Sequence, residues 1–407
     1  MKKILVLSES LRINETSSGI VSSTTIATLA DAGYDVFVLS VRDFSYPVTW
    51  LPDSVKVRLF EAPETAKPFF YGIPKLRALR AHYFGVGDSD FELFKRWKDQ
   101  IAKAISDFNP DYLFVLGSGL SFIPHFAVEA LNIKVPIVCN FHDPFPQFAY
   151  PVPYKKSKTL LQRVQCWKMN ALISKSVSVT FPSSLLGEQM GEIYSELRDK
   201  TVILPHIGRH LDGLPAGEAD HQVSLEEGKL NILHIGTLLG PRDPRTLIRA
   251  FDELSERDPW VKDNVHMLFV GRVSQDQSLQ SVYGNVKVID QRVSYRKSLE
   301  LMKKASALMI IEAESDCSPF MPGKLADIGH NEKPWISLTP INSEIVRIMG
   351  EDFPLRTELN NSEGISTVLR KLIAFLRGEQ IYRFPYERLR HHVSSDRAGE
   401  IFREIFI

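Results

Sequence analysis

One pattern occurs twice in this chain and constrains everything else: a short apolar strand, a polar glycine-bearing loop, then a helix leading to another strand. The first copy opens with a strand at 4–7, passes a polar loop ending in Ser17, Ser18 and Gly19, and continues as a helix expected over 20–32. Gly33 stands where a left-handed helix cap is usual, and 35–39 reads as the next strand. Apolar runs at 112–116 and 137–141 suit the same sheet, with shorter late strands at 178–181 and 202–204. The second copy begins with a strand at 230–235, a Gly/Pro-rich loop at 236–244 and an amphipathic helix at 245–257. Strands at 266–270, 286–289 and 307–311 and a helix at 295–305 complete it. Alternation of this kind predicts an α/β protein of two tandem Rossmann-like domains with a cleft between them. The length of 407 residues suits two such cores. The expected division is 1–205 for the first domain and 206–228 for a linker rich in His, Gly, Asp and Glu. The second domain follows at 229–385, and a C-terminal helical segment at 386–407 returns to the first.

Charge narrows the partners. Lys plus Arg equals Asp plus Glu, 49 against 49, so no global field favours nucleic acid. The three cysteines, Cys139, Cys166 and Cys317, are too scattered for a disulfide framework or a clustered metal site. The apolar run behind Met1-Lys2-Lys3 is too short for a signal peptide, and the uncharged stretch 112–128 is broken by Gly117, Gly119 and Pro124. A cytoplasmic protein is the expectation.

In open parallel sheets ligands bind beyond the carboxyl ends of the strands, so residues just after each strand carry the functional weight. The strand at 307–311 leads into Ser318-Pro319-Phe320-Met321-Pro322-Gly323-Lys324-Leu325-Ala326-Asp327. A helix starting near Gly323 aims free N–H groups and its positive end at a phosphate, and Lys324 adds a full charge. Asp327, one turn on, is placed to accept from a ribose diol; a capped helix with a solvated lysine is the plain alternative. The loop Gly236-Thr237-Leu238-Leu239-Gly240-Pro241-Arg242-Asp243 offers a guanidinium fork suited to a diphosphate, unless Arg242 simply pairs with Asp243. His142 and Asp143, directly after 137–141, can orient a sugar hydroxyl or move a proton, or else be a locally satisfied pair.

Together these residues resemble glycosyltransferase family 4 and its close relatives over nearly the whole chain, from Lys3-Ile4-Leu5-Val6 onward. The resemblance implies the GT-B architecture and transfer from a nucleoside-diphosphate sugar, with no separate cofactor and no metal. In that family a Gly-Arg-Leu…Lys-Gly loop grips the diphosphate; here Arg242 falls at the Lys, while Thr237 replaces the Arg. Alignment on Lys333-Pro334 puts Asp327 at the second acid of the family's Glu-x7-Glu element and Pro319 at the first. The Ser-Pro-Phe-x-Pro-x-Lys-Leu form of this loop is common among bacterial relatives that build surface polysaccharides. By this resemblance Gly236, Thr237, Arg242, Ser318, Phe320, Met321, Gly323, Lys324, Leu325 and Asp327 would hold the donor. Gly19 would face donor and acceptor from the first domain, and Arg292 and Val293 would lie beside the base. His142, Asp143, Arg242 and Lys324 would carry catalysis, with retention of anomeric configuration and a glycan, lipid-linked or other hydroxyl as acceptor.

Other readings compete. Glu314-Ser315-Asp316 imitates a metal-binding Asp-x-Asp, but that element belongs to a fold with one nucleotide-binding domain. A sugar-nucleotide 2-epimerase shares the two-domain architecture, and a catalytically silent scaffold protein would keep the fold. No Gly-x-Gly-x-x-Gly follows the first strand, against a dinucleotide oxidoreductase. Lys155, Lys156, Lys158, Arg163 and Lys168, interleaved with Tyr154, Leu160, Leu161 and Trp167, are either a peripheral contact with anionic membrane through 154–168 or a solvated helix face.

Overall fold

Runs of Val, Ile and Leu bounded by polar loops become strands buried on both faces, the arrangement that parallel sheets covered by helices require. The computed structural model describes residues 1–63, 79, 81–119, 121–238, 240–273, 279–382 and 384–407. The first sheet has seven strands in the order β3-β2-β1-β4-β5-β6-β7. They are β1 Lys3–Ser8, β2 Asp35–Arg42, β3 Lys56–Glu61, β4 Tyr112–Leu116, β5 Ile137–Asn140, β6 Ser176–Phe181 and β7 Thr201–Ile203. The second has six, in the order β10-β9-β8-β11-β12-β13. They are β8 Leu230–Ile235, β9 Val265–Val270, β10 Val286–Ile289, β11 Ala307–Ile311, β12 Trp335–Leu338 and β13 Arg356–Thr357. The described pairings are parallel, as in β1 beside β2 and β4, and β8 beside β9 and β11. Strand order therefore reverses between β1 and β4 and again between β8 and β11, which opens a crevice at the carboxyl end of each sheet.

The helix after β1 runs Ser17–Asp31, three residues earlier than its expected start. Thr16 is the reason: its hydroxyl accepts from Gly19 N–H at 3.0 Å and caps the first turn. Gly19 thus lies inside the helix, where a Cβ would come within 2.6 Å of Arg12 O. Gly33 takes a left-handed φ of +88°. The helix Gly323–Asn331 begins at the glycine that the sequence marked.

The two cores are distinct but joined. One apolar cluster fills the second domain around Trp335, Phe251 and Phe269, and two others flank the first sheet. The helix Tyr386–His392 seats Leu389 against Gly329 of the second domain, whereas the helix Ser395–Ile405 packs on the helix Ser17–Asp31. Phe406 is buried edge-on to Tyr34, Tyr112 and Phe114 of the first domain.

A polar clip fastens one corner. The buried Glu344 of the second domain accepts from Ser184 N–H and Leu185 N–H, both at 3.1 Å, and so caps the first-domain helix Ser184–Gly191. Ser183 accepts from Leu186 N–H while its hydroxyl donates to Pro319 O. Arg347 closes the clip with a two-toothed pair to Glu188 at 2.6 and 2.8 Å. Asn14 makes a second bridge, accepting from Tyr295 N–H at 3.1 Å.

Candidate functional site

The carboxyl ends of both sheets meet in one cleft of about 660 Å³. The first domain contributes residues 13–17 after β1, His142 and Asp143 after β5, and His206 and Ile207 after β7. From the second domain come Gly236, Thr237 and Arg242 after β8, Arg292 and Val293 after β10, and the loop and helix start after β11.

Two cations dominate the second-domain wall. Lys324 projects from the first turn of the helix Gly323–Asn331 over Gly236, whose φ is +134°; a Cβ there would collide with Lys324 Nζ. Arg242 lines the same space, and its buried Nε has no hydrogen-bond partner among the described residues. It does not pair with Asp243, which is taken by Arg245 at 2.6 Å. Burial first, and then the Arg242 charge, push the Lys324 ammonium down to about 8, against the pull of Asp327. Burial lifts the Asp327 carboxyl to about 6, although the Tyr295 hydroxyl, donating at 2.7 Å, and Lys324 hold it down.

A second buried carboxylate, Glu312, also lines the cleft. It accepts from Ser318 Oγ at 2.5 Å and from Thr339 Oγ1, and burial raises its carboxyl against these hydroxyls and the Arg242 charge. On the opposite wall His142 and His206 stack with ring centroids 5.0 Å apart, tilted by 22°. Tyr150 and Tyr154 close on Phe320, at 5.8 and 6.1 Å between centroids.

Of the residues marked in the sequence, His142, Asp143, Gly236, Thr237, Arg242, Arg292 and Val293 line the cleft. So do Phe320, Met321, Gly323, Lys324 and Asp327. Three are corrected. Gly19 is not a cleft residue, because its place is under the Arg12 backbone; Thr16 and Ser17 face the cleft instead. Ser318 is buried behind the wall holding Glu312, and Leu325 is fully enclosed in the second core. Leu239 lies outside the described residues. The basic stretch also loses one member: Lys168 is buried in an ion pair with Glu129 at 3.1 Å, while Lys155, Lys156, Lys158 and Arg163 are exposed.

Sequence reading missed His206, Glu312, Tyr150 and Tyr295. The first two stand within three residues of a strand end, so a stricter use of the strand-end rule would have found them. Among the described residues no group of three or more His, Cys, Asp or Glu side chains is placed to hold a metal ion. Glu314 accepts from Asn360 at 2.7 Å, and neither it nor Asp316 lines the cleft. No described helix is long and apolar enough to cross a membrane.

Solved structures share this arrangement end to end. The E. coli trehalose-6-phosphate protein bound with UDP-2-fluoro glucose superposes with a TM-score of 0.64 at 9% identity, covering 100% of this chain and 99% of that one. The fold is GT-B. A glycosyltransferase from Rickettsia africae gives 0.62 at 14% identity over 100% and 97% of the two chains. HepE of Anabaena, in complex with UDP and glucose, gives 0.60 at 12% identity over 99% of each. No family model and no curated protein matches the sequence. At these identities the likeness establishes architecture.

The depressed Lys324 value has a consequence for stability. Its ordinary value is 10.5, so the folded protein carries this charge at a cost present in full below pH 8 and lost as pH rises toward 10.5. That shift already nets the attraction of Asp327 against burial and Arg242. Lys324→Met should therefore raise the Tm of the ligand-free protein at pH 7, by about 2–4 °C per kcal/mol relieved. The advantage should shrink through pH 8–10 in thermal melts. A lower Tm at pH 7 would mean that the ammonium is a structural tie.

Proposed function

We propose that this chain is a glycosyltransferase that takes a sugar from a nucleoside-diphosphate sugar and delivers it to a hydroxyl acceptor. The observation that carries the reading is the pairing of Arg242 with Lys324, two cations on one cleft wall at a helix N-terminus. Neither has an ion-pair partner among the described residues. Like charges are held together at a cost, and a diphosphate repays it with charge-assisted hydrogen bonds. The GT-B likeness and the UDP-bearing neighbours support the same ligand class.

In the reaction the bond between the anomeric carbon and the distal phosphate oxygen breaks, and its electron pair stays on the diphosphate. Arg242 and Lys324 stabilise that growing charge, so their contact is strongest in the transition state. The acceptor oxygen forms the new bond, and its proton passes to a departing phosphate oxygen on the same face, which retains configuration. His142 and Asp143 orient the transferring sugar from the first domain. Arg292 and Val293 flank the base, and Asp327 meets the ribose. No metal is required, since the two side chains and the helix end do its electrostatic work. A glycan or lipid-linked acceptor in cell-surface polysaccharide synthesis fits the Ser318–Leu325 loop pattern. Lys155 and Lys158, with exposed Leu160 and Trp167, would rest on anionic lipid at the cytoplasmic face, while Lys156 lines the cleft.

Three measurements test this. Lys324→Ala and Arg242→Ala should each weaken binding of UDP, GDP, ADP or dTDP by roughly 10- to 100-fold in titration calorimetry, as expected for a lost charge-assisted hydrogen bond. Wild-type affinity should itself fall above about pH 8 as Lys324 discharges. If both variants bind all four nucleotides as the wild type does, the donor site lies elsewhere. Turnover should survive EDTA; loss on chelation restored by manganese or magnesium would overturn the metal-free reading. Flotation with anionic vesicles should show binding that weakens with salt, because exposed charges are screened within roughly 10 Å at 0.1 M. No binding at low salt leaves those lysines as plain surface.

A further inference from the structure

His206 brings a buried imidazole with both ring nitrogens open to the cleft. It is 6% exposed and lines the cleft, yet neither ring nitrogen has a hydrogen-bond partner among the described residues. Buried polar groups in folded proteins are paired as a rule, so a fully unpaired imidazole on a ligand-sized cleft asks for an explanation. His125, another buried histidine of the same domain, has one ring nitrogen engaged, Nε2 with Asn140 O at 3.1 Å, leaves Nδ1 open, and lines no part of the cleft. His206 is also held firmly. Its ring stacks on His142, and its backbone N–H donates to Met321 Sδ at 3.3 Å, which ties it to the loop that precedes Lys324.

We propose that His206 binds a hydroxyl group of the sugar that the donor carries, and so helps to select that sugar; this rests on the donor reading above. The chemistry of the ligand follows from the charge state of the ring. Burial, with His142 beside it, pushes the imidazole well below its ordinary range, so the ring is neutral at pH 7. A neutral imidazole offers one donor and one acceptor, which match a hydroxyl; a phosphate offers only acceptors. Position makes the choice among hydroxyls. A diphosphate on Arg242 and Lys324 has a nucleoside end and a sugar end. The end that crosses to the first domain meets His142 and His206 together, with Met321 of the donor loop against them.

The experiment compares each nucleotide with its sugar conjugate on the full chain. UDP, GDP and dTDP are titrated beside UDP-glucose, UDP-N-acetylglucosamine, GDP-mannose and dTDP-rhamnose, using wild type, His206→Phe and His206→Asn. Phe keeps a ring for the His142 stack, and melting curves check that the variant folds. The wild type should bind its preferred conjugate more tightly than the bare nucleotide. His206→Phe should weaken that conjugate by about 10-fold, the loss expected when one neutral hydrogen bond goes, and leave the nucleotide unchanged. His206→Asn, which restores a donor and an acceptor, should recover part of the loss. A merely structural role would shift conjugate and nucleotide alike, or neither, and either result overturns the assignment. An effect confined to the KM of the acceptor overturns it too, by moving the hydroxyl to the other substrate. If the wild type binds none of the nucleotides, the donor reading itself falls and His206 falls with it; nucleotide binding with no sugar increment defeats His206 alone.

Discussion

Two positive charges held side by side in a partly dry cleft are the condition around which the second domain is arranged. Lys324 reaches its place only because Gly236 lacks a side chain, and Gly236 can take its φ of +134° only because it is glycine. The helix that carries the lysine starts at Gly323, so its backbone N–H groups point the same way as the ammonium. Repulsion between the cations is not cancelled by a salt bridge within the described chain. Asp327, held by Tyr295, and Glu312, held by two hydroxyls, offset the repulsion only in part, since the Lys324 ammonium still lies below its ordinary value. Holding two like charges together in this way lowers the stability of the folded chain.

That arrangement also explains why some residues of the 318–325 loop pattern do not line the cleft. Ser318 belongs to the pattern as strongly as Lys324 does, yet it acts one layer back, fixing a carboxylate that faces Arg242. Leu325 anchors the helix in the apolar core so that its neighbour can project outward. A linear motif mixes residues that face a cleft with residues that aim them.

Most of the architecture was legible because strand periodicity and glycine placement are local properties. The β8 strand and the helix Arg245–Arg257 fall at the residues that the pattern indicated, and so do β10 and β11. The edge strand β3 escaped notice because Lys56, Arg58 and Glu61 interrupt its apolar side, as suits a strand with one open edge. The helix Ser17–Asp31 was read short because a threonine cap, not the apolar run, sets its start. At the site, charges next to strand ends were visible, while His206 and Tyr295 were not. Their importance comes from residues more than thirty positions away, His142 and Met321 for one and Asp327 and Asn14 for the other. Only the folded chain brings these together.

The corner clip bears on how such a protein can change over time. Glu344 is part of the second domain's own helix, but the amides it satisfies belong to the first, and the Ser183 hydroxyl donates back to Pro319 O, just ahead of the helix Gly323–Asn331. The two halves are therefore not interchangeable cassettes. Grafting a foreign first domain onto this second domain would strand a buried carboxylate on one side and a helix end on the other. A chain that exchanged its first domain would have to carry residues 183–188 and 344–347 across as a matched set, or else be cut so that the corner stays intact.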